Sequence, residues 1–270
     1  MDRQRGGAVM RAVMVFLLLV SGVVAAAAQP VPTTPGAPKP APAKKQAAPK
    51  QAAAPAGSGK CVGVVSRLGE TFNIKKVGIV VFQNDEREAP IDAWKVDDLV
   101  AARIGNFLGG RAAVRRITYP RGAFASLDEV KLFRNYDSEL GAILRTVAVG
   151  TRCARYIVVT RESTQFVTTN QLVNGLGIVQ GSGFIDVFWI HVVAAMRVFD
   201  GETFTPLTRK YVSIGQSPLT SDMRSPHRKV DKSFWPESSD VTQNTKLRDG
   251  VRDLLAQSID MTLPDLKLTE

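Results

Sequence analysis

Histidine and cysteine are scarce in this chain, with two of each among 270 residues. His191 and His227 stand 36 positions apart and Cys61 and Cys153 stand 92 apart, so no pair has the spacing from which zinc ligands are assembled. No G-x-S-x-G elbow carries a nucleophilic serine, and no internal repeat marks a solenoid. Catalytic residues and cofactors are therefore not expected. Acidic residues are absent from 29–59, where Lys39, Lys44, Lys45 and Lys50 stand uncompensated, and the first 28 residues hold three arginines against one aspartate. Of the net charge of +10, only +4 remains for residues 60–270, which argues against a nucleic-acid binder.

What is present divides the chain into three. Arg11 is followed by an apolar run from Ala12, then small residues ending in Ala26-Ala27-Ala28, the layout of a secretory signal peptide with cleavage after Ala28. The alternative is an uncleaved anchor, since Ala12 to Ala28 is 17 residues, the lower limit for a span of about 17 to 25. Residues 29–59 are rich in proline, alanine and lysine and have no apolar face to bury, which predicts a disordered linker or a cationic strap on an anionic polymer. Residues 60–270 are enough for one core without a metal or a dense set of disulfides. The mature chain is expected in the periplasm or outside the cell, with no transmembrane domain.

Within 60–270 the pattern predicts a single mixed-sheet domain, α/β or α+β, with packed helices. Val62–Ser66 and Thr71–Ile74 read as a hairpin turning at Leu68-Gly69, and Val77–Phe82 reads as a buried strand. Asp92 is placed to cap a helix with Val96, Leu99, Val100, Ile104, Phe107 and Leu108 on one side, ended by Gly109-Gly110. Ala113–Thr118 follows as a strand parallel to Val77–Phe82. Ser126-Leu-Asp-Glu129 matches a capping box, and Leu140, Ile143, Leu144 and Val147 mark a second helix. Tyr156–Thr160 is a strand, Phe184–Phe199 and Phe204–Ile214 form a hairpin about Asp200-Gly201, and Leu247, Val251, Leu254, Leu255 and Ile259 line a last helix stopped by Pro264.

The succession VGIVVFQND, amphipathic helix, short strand, second helix, RCARYIVVTRES and a long strand ending RVFDGETF resembles envelope domains of the CsgG curli-secretion, LpoB lipoprotein and TolB amino-terminal type, over about residues 77–205. Arg152-Cys153 stands where those domains carry Gly-Ala, and Phe204 where they carry glycine. The resemblance implies a non-catalytic assembly or interaction domain of the bacterial cell envelope.

Three groups of residues are candidates for a role. Arg224, His227, Arg228, Lys229 and Lys232 lead into Phe234-Trp235, a basic stretch with aromatics that suits an anionic polymer or acidic protein, or simply a solvated loop. Asn170, Gln171, Asn174, Gly175 and Gly177 fall in a glycine-rich segment, 163–182, expected to be a long hairpin loop that orders against a partner. A β-prone run follows those glycines, so a phosphate-cradling loop is not expected. Asp85, Glu86, Glu88 and Asp92 read as turn and cap residues near the end of a parallel strand. Cys61 and Cys153 are paired as a disulfide, on export to an oxidising compartment and an even count, against two separate thiols. The expected function is an envelope interaction domain binding an envelope protein or anionic polymer. The alternative is an envelope hydrolase or transferase with a site in loops 163–183 or 215–240.

Overall fold

The computed structural model describes residues 61–78, 84–129, 132–166, 169–181, 187–215, 223–237 and 241–268. The leader, the linker and most of the expected strand Val77–Phe82 lie outside them. The described residues belong to one compact unit, Pro55–Glu270. It is a mixed α/β domain whose strands run β3-β2-β7-β8-β5-β1-β4, with β6 beside β7 and both β9 and β10 beside β8. The strands are β1 (Cys61–Ser66), β2 (Thr71–Val77), β3 (Asp85–Pro90), β4 (Ala113–Arg116), β5 (Arg155–Arg161), β6 (Ser163–Gln165), β7 (Leu172–Gly181), β8 (Val187–Asp200), β9 (Pro206–Tyr211) and β10 (His227–Val230). The helices are α1 (Val96–Leu108), α2 (Ala125–Asp128), α3 (Tyr136–Val147) and α4 (Thr245–Thr262).

Strand β1 is buried along its whole length and pairs in parallel with β4 on one side and β5 on the other. Both its edges are filled, so β2 cannot pair with it and the expected hairpin does not form. The chain leaves through Arg67–Glu70 and β2 joins the other half of the sheet, parallel to β7 and antiparallel to β3. β4 has β1 as a parallel partner, and the partner expected for it, Val77–Phe82, lies mostly outside the described residues. The 14-residue β8 holds the halves together, since its first half pairs with β7 and its second half with β5.

Helices α1 and α4 cover one face, where Val100, Ile104, Val251 and Leu255 pack with Phe72, Ile178 and Val192. The opposite face of β1 and β5 is covered by α2 and α3 through Leu127, Leu140 and Leu144. Asn135 and Asn244 cap α3 and α4, their side chains accepting from Ser138 N and Leu247 N. Two expected caps are corrected. Asp92 opens a 3-10 turn ending at Trp94, whose ring packs 5.0 Å from Phe72, and α1 begins only at Val96. Phe124 rather than Ser126 precedes α2, with no side-chain cap.

The segment expected as a loop, 163–182, is mostly strand. In β7 Leu176 and Ile178 face the core while Gly175 and Gly177 face away, so the glycines are one side of a strand alternation. A Cβ on Gly177 would lie 2.4 Å from His191 Nε2, which needs the room; Gly175 has φ of 55°, the left-handed region that favours glycine, and a Cβ there would lie 3.0 Å from Arg161 Cδ. Likewise the polar stretch 215–244 contains β10, antiparallel to β8 with His227 opposite His191.

Candidate functional site

Because β4, β1 and β5 are parallel, their carboxyl ends reach the same edge of the sheet, where β4 leads to α2 on one face and α1 begins on the other. Open α/β sheets place ligands at such a point. Two clefts open there, with the Arg67–Glu70 turn between them.

The first cleft, about 200 Å3, is lined by Ser66, Glu70, Asp97, Arg116 and Tyr119. Asp97, in the first turn of α1, accepts from Ser66 Oγ at 2.5 Å and from Gly69 N at 3.1 Å. Tyr119 Oη lies 2.8 Å from Ser66 O and 3.0 Å from Glu70 Oε1 and shares its one proton between them. Arg116 pairs with Asp98. Burial raises the Asp97 pKa despite the two hydrogen bonds it accepts, and burial, with Glu70 and Asp97 nearby, raises the Tyr119 phenol. Asp92 reaches this cleft, whereas Asp85, Glu86 and Glu88 lie on β3. The sequence reading missed Asp97, Glu70 and Tyr119, which come together only once α1 packs across β1 and β4.

The raised Asp97 pKa has a testable consequence. The folded chain holds the Asp97 proton to a higher pH than the unfolded chain, so this group costs stability as pH rises through that window from its ordinary value of 3.8. Asp97→Asn keeps an oxygen for both donors and removes the charge. We expect it to unfold at a higher urea concentration than the parent at pH 7, with the difference shrinking towards pH 3.

Arg67 connects the clefts. Its side chain is 5% exposed, and Nη2 lies 3.4 Å from Glu70 Oε2 and 2.9 Å from Asp128 Oδ2. The second cleft, about 760 Å3, opens where β5 and β7 diverge and is lined by Glu88, Asp128, Tyr136, Arg161, Glu162 and Asn174. Beneath it lies Arg197, 1% exposed, whose Nε donates to Asp137 Oδ1 at 2.7 Å, Nη1 to Thr160 Oγ1 at 2.6 Å and Nη2 to Glu162 Oε1 at 2.8 Å. Tyr136 stacks above it, 4.8 Å from ring centroid to Cζ. Burial alone would lower the pKa of this guanidinium; Glu162 and Asp137 outweigh it and hold the charge.

Of the five glycine-segment candidates, Asn174 lines the second cleft and Gly175 packs against Arg161 beside it. Gly177 lies within the sheet, and Asn170 and Gln171 form the turn between β6 and β7, Gln171 O accepting from Phe166 N. The basic stretch is divided by the pleat of β10. Arg224, Arg228, Lys229 and Lys232 are exposed, with Arg228 paired to Asp253 of α4. His227 is buried, its Nδ1 2.8 Å from Ser225 O, and Trp235 is half-buried against Phe188. Of the six candidates, Arg224, Arg228, Lys229 and Lys232 therefore face solvent, and His227 does not. Cys61 and Cys153 are joined by a disulfide at the other end of β1, Cα atoms 4.6 Å apart, so the chain enters the fold opposite the polar edge.

His191 is fully buried, and among the described residues neither ring nitrogen has a hydrogen-bond partner of good geometry, the Gly175 backbone being near enough only for a weak one. Burial, then His227 and Lys75 close by, push its pKa down to about 4 against a contrary contribution from the Gly175 backbone. The unfolded chain thus binds a proton that the folded chain refuses between pH 6.5 and about 4, and stability falls as pH drops through that window. The full loss is about 3 kcal/mol at 1.36 kcal/mol per pH unit. Urea unfolding at pH 7 and pH 5 is expected to show about 2 kcal/mol of it, the part falling above pH 5, and His191→Leu is expected to flatten the difference.

Among the described residues no group of three or more His, Cys, Asp or Glu side chains converges as a metal-ligand set, and no helix is long and apolar enough to cross a membrane. No known protein family matches the sequence, and no curated protein does. Solved structures to which the chain is similar include two of low identity. One is protein XCC0632 from Xanthomonas campestris, described as DUF330, 8% identical, covering 77% of this chain and 81% of its own at a TM-score of 0.33. The other is the hypothetical protein CT253 from Chlamydia trachomatis, 10% identical, covering 75% and 98% at a TM-score of 0.25. Neither carries a function to this chain.

Proposed function

We propose that this protein is an exported, non-catalytic interaction domain of the bacterial cell envelope, held on a proline- and lysine-rich tether. The observation that carries the reading is how the polar groups at the carboxyl edge are used. Ser66 is bound to Asp97, Tyr119 to Glu70, Arg67 to Glu70 and Asp128, and Arg197 to Asp137 and Glu162. A nucleophilic serine needs a base oriented by a third group and donors for the developing oxyanion. Ser66 has a carboxylate instead, and neither histidine lines either cleft. The arrangement supports a stiff, shaped surface more than a reaction. The resemblance to CsgG, LpoB and TolB amino-terminal domains supports the same reading, and the leader supports export.

The test has two arms. Sequencing the exported chain is expected to read Gln-Pro-Val-Pro from Gln29, and the mature protein is expected to turn over none of a panel of ester, phosphate, glycoside and peptide substrates. Turnover abolished by Ser66→Ala or Asp97→Asn would replace this reading with the hydrolase or transferase alternative, moved from the loops to the first cleft. A chain that begins at Met1 and resists carbonate washing would replace the exported form with an anchored one.

A further inference from the structure

The interaction reading leaves open which surface meets the partner. Leu132 and Phe133, between α2 and α3, are 87% and 104% exposed. Phe133 has φ of 59°, a left-handed conformation that is costly for a bulky side chain. The next residue fixes the base of the loop: Arg134 Nη1 donates to Leu127 O at 2.5 Å, Nη2 donates to Ser126 O, and Nε lies 3.5 Å from Glu139 Oε2. A strained backbone held from below thus presents two large apolar groups to solvent. Strain of this kind persists where the surroundings over-determine it and clusters at functional sites.

A second exposed aromatic, Tyr211, is linked through Arg209 to Glu162 of the second cleft. Arg209 lies directly across from Arg197 in the β8–β9 pairing, so Arg209 and Tyr211 share the α3 face of the sheet. Arg209 Nη2 donates to Glu162 Oε2 at 3.1 Å and to Tyr211 Oη at 2.5 Å. Contacts therefore run unbroken from Tyr211 through Arg209, Glu162 and Arg197 to Asp137, four residues from Phe133. Around the second cleft Glu88 and Asp128 are more exposed than their partners Arg161 and Arg67, while Glu162 is 16% exposed and shared with Arg209, which is 36% exposed. Asp128 is 55% exposed while its partner Arg67 is buried, and Glu162 and Asp137 stand over the buried Arg197.

We propose that the second cleft and its flanks are a protein-docking surface: Leu132, Phe133 and Tyr211 enter apolar pockets of a partner protein that carries basic side chains between those pockets. This rests on the interaction reading and adds the surface and the partner's chemistry to it. Exposed aromatic anchors around a polar centre match the way binding energy concentrates in interfaces. The exposed carboxylates of Glu88 and Asp128 complement a basic partner and are repelled by an anionic lipid surface, so a protein is favoured over a membrane.

The test places a photo-crosslinking phenylalanine analogue at Phe133, at Tyr211 and, as controls, at Lys210 on the opposite face of β9 and at Lys229, in the full chain within cells that make it. The expected result is a discrete adduct to the same protein from positions 133 and 211 and none from 210 or 229. With that protein purified, Phe133→Asp and Tyr211→Ser are each expected to weaken binding about tenfold or more. Phe133→Gly is expected to weaken it likewise while melting no lower than the parent, because glycine accepts the left-handed conformation.

A discrete protein adduct only at the control positions overturns this surface and leaves the interaction reading standing. Adducts to a second copy of the chain overturn the proposed partner. So does binding to phosphatidylglycerol/phosphatidylethanolamine vesicles that Phe133→Asp abolishes. Substrate turnover with no protein adduct at any position overturns both readings.

Discussion

Arg197→Leu is expected to destabilise the domain by about 3 kcal/mol, the lower end of the cost of stripping one partner from a buried ion pair. The guanidinium, 1% exposed, is bonded to three side chains from different elements, Asp137 at the start of α3, Thr160 of β5 and Glu162 beyond its end. Leucine fills part of the space and satisfies none of them. The loss stays at the lower end because Glu162 keeps Arg209 and Asp137 is 31% exposed and can turn to water. Urea unfolding followed by circular dichroism reads it as a lower midpoint at unchanged slope. Adding Glu162→Leu is expected to return part of the loss, because it removes the carboxylate left above the vacant position. A change under 1 kcal/mol would mean the three acceptors are well solvated without Arg197.

Removal of the Cys61–Cys153 bridge is expected to cost somewhat more. The bond closes a separation of 92 residues containing β1 to β4 and α1 to α3. In the chain-entropy account a loop of that length is worth about 4 to 5 kcal/mol through restriction of the unfolded chain. The double variant Cys61→Ser, Cys153→Ser measures the effect without a reductant, and non-reducing mass spectrometry of the parent counts its thiols. Each hydroxyl is buried where a sulfur was, at 3% and 5% exposure, which adds to the cost. Two free thiols in the parent, or a dimer linked through Cys61, would remove the basis of this prediction.

How much of this could be read beforehand depended on whether the cause was local. The stripe Leu247, Val251, Leu254, Leu255 and Ile259 is fully buried on α4, and the Asp200-Gly201 turn joins β8 to β9, because periodicity and turn chemistry act within a few residues. Partner choice among strands is not local. Val62–Ser66 and Thr71–Ile74 are both strands, yet they part because β4 and β5 fill both edges of β1. The glycines of β7 looked like a loop because the residue that needs the space at Gly177, His191, is distant in sequence. The clefts were hidden for the same reason. Ser66, Asp97 and Tyr119 belong to three elements with no motif between them, and Arg197 is an ordinary charged residue until α3 covers it. Asn174 was noticed, on an expectation of loop flexibility that its place in β7 replaces.

The central claim is that the carboxyl edge acts through its surface and not through a reaction. Competitive growth of cells lacking the chain, complemented at equal protein level by single variants, tests it most directly. Asp97→Asn and Ser66→Ala are expected to restore growth as the parent does, and Phe133→Asp and Tyr211→Ser to fail. Failure of Asp97→Asn and Ser66→Ala, with Phe133→Asp and Tyr211→Ser fully active, would contradict the account and make the first cleft a catalytic site.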